Sequence, residues 1–235
     1  MNRVVLHAVV FSLAVPPIAA QEKPAWGSLS GKITDEKTQK PIADAIVFLK
    51  SPTAMGRLPI HADDKVRKDL VIKVPAGREF DFRMLAHYPH YVDGDKKVST
   101  GQKLVLIGDS QQDHIFRLDL LPTLATDELT SKLIHRRLRS GDPSDEGLTE
   151  ASYLAAGTKV DLEFKYLAGY SLQSQTYREL KTHIAVFDHP YFAVSQKDGT
   201  FTMPRVPAGT EVIVWAWQED VGYLLTKTGK IEIKK

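Results

Sequence analysis

The sequence predicts a mainly β protein of the β-sandwich kind, and three observations carry that expectation. Apolar and polar residues alternate in short runs, as at Leu29, Gly31 and Ile33 and again over residues 114–120, which is the period of a half-buried strand. Glycine and proline break the chain between these runs, at spacings that suit turns better than long helices. Only residues 123–139 change period. There Leu129, Leu133, Ile134 and Leu138 share one helical face, Asp127 and Glu128 open the segment, and Arg136, Arg137 and Arg139 close it ahead of Gly141 and Pro143. One short helix near 125–139 is therefore expected within the β framework, its basic end a solvated, dipole-matched terminus and not an anion site.

The strands follow in order. Residues 27–49, GSLSGKITDEKTQKPIADAIVFL, give an alternating strand, a long turn from Asp35 to Pro41, and a returning strand at 45–49. Residues 51–64 read as a surface loop. Further strands are expected at 69–74, 79–85, 103–107, 114–120, 159–167 and 181–187. The densest pattern is residues 188–219, DHPYFAVSQKDGTFTMPRVPAGTEVIVWAWQE. Residues 191–194 and 200–203 read as a hairpin about a Lys197-Asp198-Gly199 turn, and Pro204, Pro207 and Gly209 mark a corner before a last strand at 211–217.

Composition narrows function. With 235 residues, 43% of them hydrophobic and 26% charged, the chain is long enough for one large core or two small ones. Residues 1–20, MNRVVLHAVVFSLAVPPIAA, place one arginine before an apolar run too short to span a bilayer and ending in Pro-Pro and small residues. This reads as a secretory signal peptide cut within a residue or two of Ala20, in preference to a buried N-terminal strand. Export to the periplasm or the cell exterior follows, and no second apolar run in the mature chain reaches membrane length. Of 31 basic residues only Arg3 leaves with the leader, so 30 face 29 acidic ones, and a nucleic-acid partner is not expected. The absence of cysteine removes disulfides, thiolate metal sites and cysteine nucleophiles together.

Two resemblances sharpen the fold. Residues 26–50, with Lys40-Pro41-Ile42 and then Ala45, Val47 and Leu49, resemble the opening half of a carboxypeptidase regulatory-like domain, a transthyretin-like sandwich. Residues 184–219, with Gly199-Thr-Phe-Thr-Met203 and Pro207-Ala-Gly209, resemble its closing half. Between them the stretch 66–183 resembles the cupredoxin-like domains of secreted bacterial proteins, including the methylamine-utilisation-like group. The residues that carry this second likeness are Gly101-Gln-Lys-Leu-Val-Leu-Ile107, Asp109 and His114, then Asp188-His-Pro-Tyr-Phe-Ala193 and Trp217-Gln-Glu219. It implies a Greek-key sandwich and a copper site of two imidazoles, a thiolate and an axial thioether. In the register counted back from Asp188, Ser174 stands near the family's cysteine, Tyr177 at its second histidine and Leu180 at its methionine. Gln218 replaces a closing histidine, and Leu85 stands where a cysteine often precedes the segment now reading Pro89-His90. Of four ligands only His114 is left, so the copper site is expected to be degenerate and no cofactor is expected.

The resulting expectation is a non-enzymatic binding or accessory protein, with an envelope protein or a glycan as partner and Tyr170, Tyr177 and Trp217 as contacts to test. The alternative is a metal-binding or electron-transfer protein with a copper site built on His114 and one or more of His87, His90 and His183. Extended backbone through Pro89 sends His87 and His90 to opposite faces, which weakens their chelation, and His189 before Pro190 reads as a strand-end corner. The chain has no Gly-x-Ser-x-Gly elbow, no His-Glu-x-x-His pair, no phosphate-cradling glycine loop and no dinucleotide fingerprint. The Asp- and Ser-rich loop at 141–147 lacks the alternating oxygens of a calcium loop.

Overall fold

A computed structural model describes residues 4–9, 25–50, 58–75, 79–108, 112–126, 149–224 and 231–232. Its strands are β1 (Val4–Val9), β2 (Trp26–Asp35), β3 (Ile46–Lys50), β4 (Leu70–Val74), β5 (Met84–His87), β6 (His90–Asp93), β7 (Lys96–Ser99), β8 (Leu104–Gly108) and β9 (His114–Ala125). They continue with β10 (Thr149–Leu154), β11 (Lys159–Leu162), β12 (Ala168–Ser174), β13 (Lys181–Val186), β14 (Phe192–Val194), β15 (Thr200–Pro207), β16 (Glu211–Gln218), β17 (Gly222–Leu224) and β18 (Ile231–Glu232). The protein is mainly β; a single 3₁₀ turn at Ala62–Asp64 is the one helical element among the described residues.

The chain divides into two compact units, one of residues 1–62 with 190–235 and one of residues 63–189. The first takes strands from both ends of the sequence. One of its sheets has the order β1-β2-β15, the other β14-β3-β16-β17 with β18 also on β16. Alternation along each strand sends Leu29 and Ile33 of β2 and Phe201 and Met203 of β15 inward, against Val47 and Leu49 of β3 and Val214 of β16. Each such side chain contributes about 1.5–3 kcal/mol by leaving water, and with no disulfide in the chain that burial carries the unit.

Two expectations change here. Residues 191–194 and 200–203 are not hairpin partners: β14 pairs with β3 and β15 with β2, so the turn at 197–199 arches from one sheet to the other. Asp198 holds that arch by accepting from the Thr200 N–H at 3.0 Å and its hydroxyl at 2.6 Å. Nor does Pro204 end the strand, which runs on to Pro207. β15 is an edge strand, which tolerates a missing N–H, and its register shifts between Met203 and Val206 about Arg205 at φ 54°. The apolar run expected in the leader contributes β1, antiparallel to β2 from Val4 opposite Asp35 to Val9 opposite Ser30. The β-branched residues that make a hydrophobic leader also make a strand, and a cut near Ala20 would leave the outer edge of β2 unpaired.

In the second unit a five-stranded sheet, β10-β9-β12-β13-β5, packs on a three-stranded one, β11-β8-β4, with β6 and β7 as a separate hairpin. Phe116 and Leu118 of β9, Leu172 of β12 and Ile184 of β13 meet Ile72 of β4 and Leu106 of β8 in the core. Two pairings are parallel, β13 with β5 and β4 with β8. β13 is an interior strand, and all of it beyond Lys181 is buried, which explains its nearly continuous apolar run. Thr123 and Ala125 continue β9 instead of opening a helix, Thr126 follows with its hydroxyl donating to the Val186 carbonyl at 2.6 Å, and residues 127–139 lie outside the described residues. The strand expected at 79–85 begins only at Met84, and the one expected at 159–167 stops at Leu162.

Candidate functional site

β9 begins at His114 and β12 ends at Ser174, and their antiparallel register sets Phe116 opposite Ser174. The chain then turns and returns as β13. Ser174 makes this turn: its hydroxyl oxygen accepts from the N–H of Thr176 at 3.2 Å and of Tyr177 at 3.1 Å, while its own N–H donates to the Leu180 carbonyl at 2.9 Å. The Leu180 N–H donates to the Tyr177 carbonyl at 2.9 Å and closes the loop.

His114 is buried, its ring stacked on Phe116 at 5.6 Å and tilted against Tyr177 at 5.7 Å. Its Nδ1 lies 3.4 Å from the Ser174 hydroxyl oxygen. That oxygen already accepts two backbone N–H groups, which favours its proton on the Nδ1 side and the neutral, Nε2-protonated form of the ring. Burial lowers the His114 pKa and favours the same neutral form, against the weaker pull of Asp113. Tyr177 donates its phenol proton to the Gln112 side-chain oxygen. Of the three positions that the resemblance matches to copper ligands, Ser174 and Tyr177 thus meet His114, while Leu180 is tied to those two through its backbone. Gln218 lies in the first unit, where its side chain bonds Asp220, and Leu85 is paired with Ile184 on β5.

The spacing bears on the chemistry. A nitrogen and a sulfur bound to one ion at about 2.0 and 2.3 Å, with a trigonal to tetrahedral angle between them, lie roughly 3.6 Å apart. The Ser174 oxygen stands near that distance from Nδ1 but cannot replace a thiolate: it stays protonated and is already spent on the turn. Leu180 offers no donor, and the Tyr177 phenol is turned to Gln112. The residues present do not fit a blue-copper centre.

His87 and His90 do not join this cluster. His87 pairs with Val186 at the far end of β13, six residues beyond Leu180 and hence about 20 Å along the strand. It is buried against Phe164 and fixed by Gln102, whose side-chain oxygen takes the Tyr88 N–H at 2.7 Å and lies 3.2 Å from His87 Nδ1. The Gln102 amide nitrogen donates to the Lys68 carbonyl at 3.0 Å, which orients the side chain and makes Nδ1–H a donor. His183 is buried on β13, and His189 rests against Phe187. Among the described residues no three His, Asp or Glu side chains converge as a metal site would need.

Burial holds His87 at about 4, with the Gln102 bond opposing and the neighbouring His90 adding to the shift. A histidine with its pKa lowered by folding takes up protons more readily when unfolded, so stability is intact above pH 6.5 and falls as pH drops from 6.5 to about 4. We expect a loss of about 3 kcal/mol across that window. Urea midpoints measured from pH 7 to 4 should show this slope in the wild type and a flatter one in His87→Gln; equal slopes would assign the loss to another group.

Of the contacts expected from sequence, Tyr170 and Trp217 are buried and Tyr177 is half-buried. An exposed aromatic went unnoticed instead. Tyr153 on β10 stands opposite Ile115 on β9, and the two are 61% and 47% exposed. Ile115 carries the signal that locates it: an apolar residue out of phase with the inward series His114, Phe116 and Leu118. Comparison with known protein families, curated proteins and solved structures finds no match.

Proposed function

We propose that this is an exported, non-enzymatic binding or accessory protein, whose second unit is a cupredoxin-like Greek-key domain that has lost its copper and whose first unit is a regulatory-like sandwich. The observation that carries this reading is the meeting of Ser174 and Tyr177 with His114, in a turn that Leu180 closes through its backbone, with side chains that do not suit the metal. Export rests on the composition of residues 1–20. The placement of residues 26–50 and 190–219 in one compact unit supports the regulatory-like half of the proposal, with residues 184–189 belonging to the other unit.

The Ser174–His114 contact also favours this reading over hydrolysis. A nucleophilic serine must reach a substrate, whereas Ser174 is fully buried and its oxygen is held by two backbone N–H groups. The test is copper. The chain lacking residues 1–20, incubated with Cu(II), desalted and assayed for metal, is expected to retain no stoichiometric ion, and His114→Ala to behave identically. One tightly held equivalent that disappears in His114→Ala would overturn the proposal in favour of electron transfer or metal binding.

A further inference from the structure

We propose that Tyr153, with the carboxylate of Asp113 beside it, forms a platform for a sugar ring on the outer face of the five-stranded sheet. The inference rests on the binding role proposed above and gives it a surface and a ligand class. β10 is the edge strand of that sheet, and its register places Tyr153 directly across from Ile115, on the face opposite the core. Tyr153 is the most exposed large aromatic among the described residues.

Exposure alone decides little; immobilisation adds more. The Tyr153 phenol donates to one Asp113 oxygen at 2.6 Å, and the Ala156 N–H donates to the other at 3.0 Å. The ring is thereby held at both ends, at the backbone and at the hydroxyl, so binding onto it costs little side-chain entropy. The same two bonds keep Asp113 ionised, with lone pairs left over for incoming hydroxyl groups. Further along the same face Arg117 stands opposite Gln173 on β12, offering planar polar groups. Arg117 itself donates through Nε to Asp119 at 2.7 Å.

Size selects the ligand. Tyr153 and Ile115 together expose on the order of 200 Å² of largely apolar surface, against roughly 800 Å² per partner in a specific protein interface. A patch of that size suits one or two rings of a glycan, which present a C–H face to stack on the phenol and hydroxyls to meet the carboxylate. The near-neutral charge balance of the chain offers no comparable footing for a polyanion.

The experiment is affinity electrophoresis of the chain lacking residues 1–20 in gels containing hydroxyethylcellulose, glycol chitin or dextran, followed by calorimetric titration with cellohexaose and chitohexaose. Retardation is expected in at least one gel, with the binding weakened about tenfold or more by Tyr153→Ala. Ile115→Ser should reduce it in part, and Tyr153→Phe less than Tyr153→Ala, because the ring stays while its anchor goes. Free mobility in every gel, or equal retardation of wild type and Tyr153→Ala, would overturn the platform. Copper binding is read separately on the same protein, so failure of the platform and failure of the lost-site reading are distinct results.

Discussion

The triple variant Ser174→Cys, Tyr177→His and Leu180→Met is expected to bind one copper ion with a Kd at or below about 1 μM, or roughly −8 kcal/mol, and the wild type to bind none. The reasoning is geometric. Nδ1 of His114 and the Ser174 oxygen already stand 3.4 Å apart, so a sulfur at position 174 needs only a small adjustment to share an ion with the imidazole. The Tyr177 ring is packed against His114, which places a second imidazole beside the first, and residue 180 closes the same turn through backbone hydrogen bonds to 174 and 177, from which a thioether has three rotatable bonds with which to reach the ion. The substitutions disturb little. Leucine to methionine conserves volume, and the lost turn bonds of Ser174 cost about 1 kcal/mol. A visible thiolate-to-copper absorption should appear with the metal and vanish when His114→Ala is added. A variant that folds, as judged by its thermal melt, yet takes up no copper would show that these four positions never formed a ligand set.

Gly199→Ala is expected to destabilise the first unit by about 3 kcal/mol or more. The glycine sits at φ 79°, where an L-residue is strained by about 1–2 kcal/mol. Its added Cβ would also lie 2.4 Å from the Ile33 carbonyl oxygen and 3.2 Å from Cβ of Pro41. That carbonyl cannot yield cheaply, because it accepts from the Ile42 N–H at 3.0 Å while the Ile33 N–H donates to the Gly199 carbonyl at 2.9 Å. Gly209→Ala is the control. Gly209 has nearly the same φ, 74°, with nothing within 4 Å of the added methyl, so it should show the strain alone, at about 1 kcal/mol. Urea denaturation of both variants measures the difference, and equal losses would remove the close approach to Ile33 as a cause.

Strand period was the most legible feature of the chain. β4, β8, β9 and β13 lie where alternation or apolar runs placed them, because the residues that alternate are the ones that face a core. Pairing was less legible. Nothing local distinguishes a hairpin turn from an arch, and the Lys197-Asp198-Gly199 turn joins two sheets because β3 and β2 compete for the strands on either side of it. β12, AGYSLQS, hid for a different reason: its glycine and serines weaken the strand signal, and its burial on both faces removes the alternation. The surroundings of His114 could be anticipated through Ser174 and Tyr177, whereas the separation of His87 depends on the parallel register of β5, which no local pattern encodes. The exposure of Tyr153, like that of Ile115 across from it, is set by which face of the sheet the core leaves uncovered, and that is a tertiary matter.

The first unit is assembled from the two ends of the chain, and its entry and exit meet: the Tyr191 phenol donates to the Pro59 carbonyl, and the Leu49 N–H donates to the Tyr191 carbonyl. In a chain emerging amino-terminus first, β2 and β3 must wait, with their core faces uncovered, until β14 to β16 arrive. Prior folding of residues 63–189 would shorten that wait by turning a long, floppy connection into a compact tether, raising the effective concentration of each half for the other. The second unit would then act as a folding clamp for the first. Damage to its core would be felt in the first unit as slower closure and a longer-lived sticky intermediate, even where every contact of the first sandwich is intact.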